Sequence, residues 1–222
     1  MHSAEASLPG DNPRELDYFI EWRPYLWRRP VHQALKYLGD LHGRRVLELG
    51  GRSGRMTSLF ALRGAQVTMV ERAPLEAAKA EVDKWGLADR VRMIRTQGGL
   101  EDLAGETFDV IFTKSVLWSV EHLGGLLDIF QTLLAPGGQV AFVENHRGSP
   151  ALFWVRRNIL HRGRFDYENR YFGITPSQIP LFRERFDDLQ VRRHRYFVYT
   201  ICGQKSASPK VAQTQQPLVS TR

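Results

Sequence analysis

The length, composition and charge of the chain limit the kinds of protein it can be. Its 222 residues suffice for one globular domain with a full core, and a hydrophobic share of 42% is typical of a folded protein. No apolar run reaches the about 18 residues of a membrane span, the N-terminal sequence does not resemble a signal peptide, and the single cysteine excludes a disulfide framework. We therefore expect a cytoplasmic protein. The net charge of +7 comes from basic residues spread along the chain, which disfavours a nucleic-acid partner.

The N-terminal part of the chain predicts a helical cap. Residues 1–12 are small and polar, and we expect them to be disordered. The segment Asn12–Glu15 predicts a helix start with Asn12 as the N-cap, and Pro30 predicts the start of a second helix that ends before Gly43. We assign residues 13–43 to this cap.

Strands and helices alternate over the next hundred residues. The predicted strands are Arg45–Leu49, Gln66–Glu71, Val91–Arg95, Phe108–Thr113 and Gln139–Glu144. The predicted helices are Met56–Arg63, Pro74–Trp85 and Leu123–Leu134, and the predicted turn before the fifth strand is Ala135–Gly138. This alternation predicts an α/β protein with a doubly wound, mostly parallel sheet, and we assign residues 44–145 to its core.

The rest of the chain is expected to complete a seven-stranded sheet. Helices are predicted near Ala151–Leu160 and over Thr175–Phe186, the latter with Ser177 as its cap. Leu189–His194 and Phe197–Cys202 predict two strands that form an antiparallel C-terminal hairpin. Residues 146–204 are thus an insertion followed by the closing hairpin, and residues 205–222 predict a disordered tail.

The loop after the first strand is the expected ligand site, because ligands of doubly wound sheets bind at the carboxyl ends of the strands. In the segment VLELGGRSGRM, Glu48 is followed by Gly50, Gly51 and Gly54. Arg52 stands where a dinucleotide-binding loop has its second glycine, and no Gly-Lys-Ser/Thr follows, which excludes a Walker loop. The spacing therefore argues against an NAD(P)-dependent oxidoreductase.

Four motifs in order resemble class I S-adenosylmethionine-dependent methyltransferases. They are the loop with Glu48, the acid Glu71 at the end of the second strand, FDVIFTKSVLWSVEHL over 108–123 and LLAPGGQVAFVEN over 133–145. The resemblance covers about residues 45–145 and implies the same Rossmann-like fold, with S-adenosyl-L-methionine as the methyl donor. That donor has no pyrophosphate, so the loop tolerates an arginine at position 52.

The resemblance also implies which residues bind the donor. Glu71 is expected to accept from the ribose hydroxyls. From the chemistry of its guanidinium, Arg52 is expected either to contact the donor carboxylate or to point to solvent. Glu48 is expected to meet either the donor's ammonium group or the N–H groups of its own loop. The other predicted donor-binding residues near these strand ends are Gly50, Gly51, Gly54, Arg72, Lys114 and Ser115.

Adenine recognition departs from the family pattern. Gly99 stands where the family often has an aspartate that accepts from the adenine amine. We therefore expect the adenine contact to come from Gln97, Glu101 or the backbone of Leu100. The predicted donor site includes Gly99, Leu100 and Glu101.

The acceptor side is predicted from residues that follow the fourth and fifth strands. His146 is expected to be a general base, because histidine titrates near neutrality, although it could also be a surface histidine. His122 is a weaker candidate that could instead cap a helix. The predicted acceptor-binding residues are Trp22, Tyr25, Trp118 and Asn145.

The acceptor itself is expected to be a small molecule, of acidic or aromatic character, methylated on O or N. TKSV follows the fourth strand in place of the signature of amino-group nucleic-acid methyltransferases, Cys202 is misplaced for cytosine C5 chemistry, and no metal-binding acid set is visible. The basic, aromatic residues 147–170 could receive the acceptor or form a homodimer surface. Two alternatives stay open: a non-catalytic Rossmann-like cofactor-binding module, and an NAD(P)-dependent oxidoreductase.

Overall fold

The fold is a single sheet covered by helices on both faces, seen in a computed structural model. The structure describes residues 8–21, 23–97, 99–146, 154, 158–159, 173–194 and 198–205. The strands are β1 Arg45–Leu49, β2 Gln66–Glu71, β3 Val91–Arg95, β4 Phe108–Lys114, β5 Leu134–Asn145, β6 Phe186–His194 and β7 Val198–Lys205. The helices are α1 Leu16–Phe19, α2 Pro24–Leu38, α3 Arg55–Leu62, α4 Glu76–Lys84, α5 Leu123–Leu133 and α6 Ile179–Arg183.

The sheet order is β3-β2-β1-β4-β5-β7-β6. Strands β1 to β5 pair in parallel, and β7 is antiparallel to both of its neighbours, β5 and β6. The expected doubly wound, seven-stranded α/β sheet with an antiparallel C-terminal hairpin is therefore confirmed. Because β1 and β4 are central, their carboxyl ends meet where the strand order reverses, which is the ligand edge of such sheets.

Alternate residues of the central strands fill the two halves of the core. On β1, Val46 packs with α2 and α3, whereas Leu47 packs with α5 and α6 on the other face. The same alternation places Phe112 on the first face and Ile111 on the second. Burial on both faces explains why these strands are continuously apolar.

The helical cap differs from its prediction at two points. Helix α2 begins at Pro24 and contains Pro30, which was predicted to be its start. The buried face of α2 explains the difference, since Trp27, Val31 and Leu35 share one helical stripe that extends across Pro30. Asn12 accepts a hydrogen bond from the backbone N–H of Arg14 in a turn, and α1 itself is only Leu16–Phe19.

Three predicted features later in the chain also differ. Residues 135–138 lie within β5 as an irregularity between Leu134, which pairs with Phe108, and Gln139, which pairs with Val110. The cap before α6 is Thr175, which forms a capping box with Gln178, so the prediction of a Ser177 cap was wrong. Lys205, which was predicted to open the tail, ends β7.

Some predictions fall outside the described residues. They concern residues 1–7 and 206–222, which were assigned to disordered termini, and most of the helix predicted near residues 151–160. The division of the chain into these five segments likewise stays a prediction.

We expect Phe142→Ala to be the costliest single truncation in the α5 half of the core. Phe142 is fully buried on β5, and its ring centroid lies 5.7 Å from that of Phe130 and 5.8 Å from that of Phe182. The change should lower the free energy of unfolding by about 3–5 kcal/mol, measured by urea denaturation. The control Ile129→Ala, on the exposed face of α5, should cost less than about 1 kcal/mol. Equal losses in the two variants would contradict the assigned packing.

Candidate active site

The glycine-rich loop joins β1 to α3 at the carboxyl edge of the sheet. Gly50 and Gly54 both have φ of 77°, in the left-handed region that glycine adopts without strain. A Cβ on Gly50 would lie 2.4 Å from Cγ2 of Val116, in the turn after β4. A Cβ on Gly51 would lie 2.3 Å from Sδ of Met69, so this loop packs too closely on its neighbours to accept larger residues.

Arg52 adopts an unusual backbone conformation within the same loop. Its φ is 46°, which is uncommon for a residue with a Cβ, and its side chain is exposed. Its backbone N–H donates to Oε2 of Glu71 at 2.8 Å. The main chain of Arg52, the residue that departs from the dinucleotide pattern, therefore anchors the loop. Its guanidinium takes no part in this anchoring hydrogen bond.

Glu71 connects the first and second strand ends. Besides the Arg52 bond, its Oε1 accepts from the backbone N–H groups of Arg72 at 2.7 Å and Ala73 at 2.9 Å. Glu71 is only 8% exposed. The hydrogen bonds to loop N–H groups that were considered for Glu48 are thus made by Glu71.

Glu48 is buried beneath the loop. It is 2% exposed, and its Oε2 accepts from Oγ1 of Thr57 at 2.5 Å. Burial raises the pKa of Glu48 to about 7, although the Thr57 hydrogen bond and the charge of Lys114 lower it. A cation that approaches Glu48 would therefore stabilise its charged form.

Lys114, at the end of β4, supplies positive charge to the site. Its Nζ lies 5.3 Å from the ring centroid of Trp27, which is buried on α2. Burial lowers the pKa of Lys114, the Glu48 carboxylate raises it, and Arg52 lowers it further. The strand ends thus hold both signs of charge close together, which suits a zwitterionic ligand.

The turn after β4 is held by β5. Ser115 has φ of 60°, its Oγ accepts from Nδ2 of Asn145 at 2.7 Å, and its carbonyl accepts from Nε1 of Trp118 at 2.7 Å. The predicted acceptor-binding residues Trp118 and Asn145 therefore meet at Ser115. Both are mostly buried, and each contributes a polar atom to the same turn.

The two candidate bases differ in environment. His146 is 3% exposed, its ring lies 4.7 Å from that of Tyr199, and its Nε2 accepts from Nε of Arg193 at 3.3 Å. His146 therefore lies away from the surface. His122 is exposed at the N-cap position of α5, where its carbonyl, not its side chain, accepts from Leu126.

The Glu101 carboxylate lies beside Gly99, the position at which the family often has an aspartate. A Cβ on Gly99 would lie 1.8 Å from Oε2 of Glu101, so the Glu101 carboxylate occupies the space that a side chain at position 99 would fill. Leu100 is half-buried beside it, and Glu101 itself is exposed at the start of a short 3-10 turn.

The structure describes one of the two cap residues that were predicted to bind the acceptor. Tyr25 is 66% exposed, and Trp22 lies outside the described residues. Trp27 instead provides the cap's aromatic contact to Lys114. No sequence signal pairs these two residues, because they are distant in the chain and meet only when α2 packs on the sheet.

Within the described ranges, no group of three or more His, Cys, Asp or Glu residues is arranged to hold a metal ion. Among the helices of that same part of the chain, none has the length and apolarity needed to cross a bilayer.

Comparisons with known proteins identify the family. The model of a methyltransferase domain family matches residues 19–194. A ubiquinone biosynthesis O-methyltransferase from Xanthomonas oryzae pv. oryzae is 30% identical over 188 residues, which cover 74% of this chain and 76% of that protein. This chain therefore belongs to the class I S-adenosylmethionine-dependent methyltransferases.

Another relative and a solved structure agree with this assignment. A ubiquinone biosynthesis O-methyltransferase from Pseudomonas syringae pv. tomato is 31% identical, over 63% of this chain and 62% of its own length, so the match spans less than two thirds of that relative. A Burkholderia thailandensis 1,6-didemethyltoxoflavin-N1-methyltransferase, solved with S-adenosylhomocysteine and its acceptor, has a TM-score of 0.62 at 19% identity. The likeness covers 92% of this chain and 93% of that one, and it shows the fold. The expected family, fold and class of methyl donor are confirmed.

We expect the buried acid Glu48 to make folding stability depend on pH. Its pKa is higher in the folded protein than its ordinary value of 4.5. The contribution of protonated Glu48 to the free energy of unfolding is therefore complete below about pH 4.5. It is lost as the pH rises through about 7, and the loss is up to about 3 kcal/mol. Glu48→Gln keeps an acceptor for Thr57 and removes the titration, so its stability should fall less between about pH 5 and about pH 8 than that of the wild type.

Urea unfolding at both pH values measures this difference. The exposed Glu76→Gln serves as the control and should behave as the wild type does. A Glu48→Gln protein with the full wild-type pH dependence would show that Glu48 does not carry a raised pKa.

Proposed function

We propose that this chain binds S-adenosyl-L-methionine at the carboxyl ends of β1, β2 and β4 and transfers its methyl group to an oxygen of a small-molecule acceptor. The observation that carries the proposal is the glycine-rich loop held by Glu71 beside the mixed charges of Glu48 and Lys114. Family membership supports the same donor.

The charges of the strand ends fit the two ends of the donor's amino-acid group. Glu48 is the acid for the ammonium group, while Lys114 and the exposed guanidinium of Arg52 are the cations for the carboxylate. The bound donor supplies a methyl group on a positively charged sulfur. The chain's part is to hold that methyl group and the acceptor atom in line, which is the main source of acceleration in such transfers.

Glu71 and Glu101 are the proposed acids for the rest of the donor. Three of the acceptor positions of Glu71 are used by backbone N–H groups, and a carboxylate has about four, so one remains for a ribose hydroxyl. Glu101 is proposed to accept from the adenine amine, because its carboxylate fills the space beside Gly99.

Glu71→Ala should weaken S-adenosylhomocysteine binding at least about 100-fold in isothermal titration calorimetry, because it removes both the loop anchor and the ribose acceptor. The control Glu76→Ala changes an exposed acid of α4 and should leave the dissociation constant unchanged within about twofold. An analogue without ribose hydroxyls separates the two roles. If Glu71→Ala loses as much affinity for this analogue as for the parent compound, Glu71 anchors the loop and does not bind ribose.

The O-methylated small acceptor is proposed from the relatives and from the site. Both curated relatives described above are named as O-methyltransferases, while the structural neighbour is an N-methyltransferase, so N-methylation is the second candidate. Ser115, Trp118 and Asn145 are the proposed acceptor contacts, and Trp118 favours an aromatic acceptor because its ring offers a flat apolar wall. A cytoplasmic location and a homodimer stay predictions.

Transfer of a labelled methyl group to a panel of phenols, hydroxylated acids and amines tests the reaction. Label on a hydroxyl compound supports the proposal, and label on amines alone replaces it by N-methylation. Binding of S-adenosylhomocysteine without transfer to the panel or to any fraction of a metabolite extract would indicate a non-catalytic module. Nicotinamide cofactor binding without a response to S-adenosylhomocysteine would indicate an oxidoreductase.

We expect His146→Ala to retain donor affinity and to lower turnover at neutral pH by about 100-fold if His146 is the general base. The prediction requires the Arg193 hydrogen bond to Nε2 to open, because that nitrogen is an acceptor in the structure. The control His42→Ala removes an exposed histidine before β1, at the opposite edge of the sheet. Unchanged turnover in His146→Ala would show that His146 is not the general base of the reaction.

A further inference from the structure

The turn after β4 depends on a buried acid of the neighbouring strand. Glu144, on β5, is fully buried. Its Oε1 accepts from Oγ1 of Thr113 at 2.7 Å, and the backbone N–H of Val116 lies 3.0 Å from Oε1 and 2.9 Å from Oε2. Burial raises the pKa of Glu144 to about 7, while the Thr113 hydroxyl and the backbone N–H groups that follow β4 lower it. A single side chain therefore bonds the backbone N–H of Val116, the N-cap residue of the short 3-10 helix Leu117–Ser119.

The same turn stores backbone strain. Ser115 has φ of 60°, a left-handed conformation that is strained for a residue with a Cβ and persists only when the surroundings enforce it. The Asn145 amide bonds the Ser115 hydroxyl, but Glu144 bonds the main chain of the next residues and so fixes the path of the turn.

This turn contacts the donor loop directly. The side chain of Val116 lies over the Cα of Gly50, where a Cβ would come within 2.4 Å. A shift of the turn would therefore move Val116 against the main chain of the donor loop on one side and displace Trp118 on the other.

We infer that Glu144 is the positioning residue of the methyl-transfer site: it holds the turn 115–118 in its strained form and thereby fixes Val116 against the donor loop and Trp118 beside the acceptor. Glu144 acts through these residues and touches neither substrate. The inference rests on the proposed function and adds a residue that the donor and acceptor contacts do not include.

Glu144→Gln tests the inference with little change in shape. The amide keeps one acceptor oxygen but turns an NH₂ group toward backbone N–H donors, so the turn loses part of its hold. The dissociation constant of S-adenosylhomocysteine should rise about tenfold or more, measured by calorimetry on the folded variant. The control Thr200→Val removes a buried hydroxyl of β7 that bonds Pro30 and His194, and it should lose thermal stability without losing donor affinity.

A second substitution distinguishes positioning from general destabilisation. Glycine adopts the conformation of Ser115 without strain, so Glu144→Gln should cost less than about threefold in donor affinity when Ser115→Gly is already present. If Glu144→Gln does not fold, Thr113→Val removes one donor to the carboxylate and should raise the same dissociation constant by about threefold.

The outcomes separate this inference from the function on which it rests. A wild-type protein that fails to bind S-adenosylhomocysteine overturns the proposed function and the inference with it. If the wild type binds S-adenosylhomocysteine and Glu144→Gln binds it with unchanged affinity, the inference alone is overturned. The same holds for Thr113→Val if that variant has to replace Glu144→Gln. An equal loss with serine or glycine at position 115 also overturns it, because the turn would then not be the element that Glu144 holds.

Discussion

Burial of carboxylates at the carboxyl edge of the sheet is the constraint on which the rest of the site depends. An ionised acid that is removed from water needs donors close to it, or its free energy rises by several kcal/mol. Glu48, Glu71 and Glu144 end three different strands, and all three are at most 8% exposed. Each accepts from at least one group in a loop or helix that follows a strand, so the need of the acids for hydrogen bonds fixes the backbone around the cleft.

The three acids differ in the hydrogen-bond donors that they obtain. Glu71 holds the glycine-rich loop through main-chain N–H groups, Glu144 holds the turn after β4 in the same way, and Glu48 has a threonine hydroxyl. The acid with the fewest internal donors is thus the one best placed to gain from an incoming cation. Lys114 is held nearby against the ring of Trp27, so the site places an acid and an amine side by side before any ligand binds.

Backbone strain occurs where these loops meet. Arg52 and Ser115 both have positive φ. Glu71 accepts from the N–H group of Arg52, and Glu144 accepts from the N–H group of Val116, which follows Ser115. The departure of the loop from a dinucleotide pattern is therefore compatible with an ordered site. At position 52 the main chain is used for structure, and the side chain stays available for a ligand.

The sequence by itself determined the strands, their order of appearance and the acids that end them, because periodicity, glycine punctuation and apolar runs are local signals. It placed β1, β2 and β3 at their observed bounds. The tertiary structure decided what each acid bonds, that α2 extends through Pro30, that Lys114 meets Trp27, and that His146 is covered by Tyr199 and Arg193. These contacts join residues that are distant in the chain, and their partners are fixed only when the helices pack on the sheet.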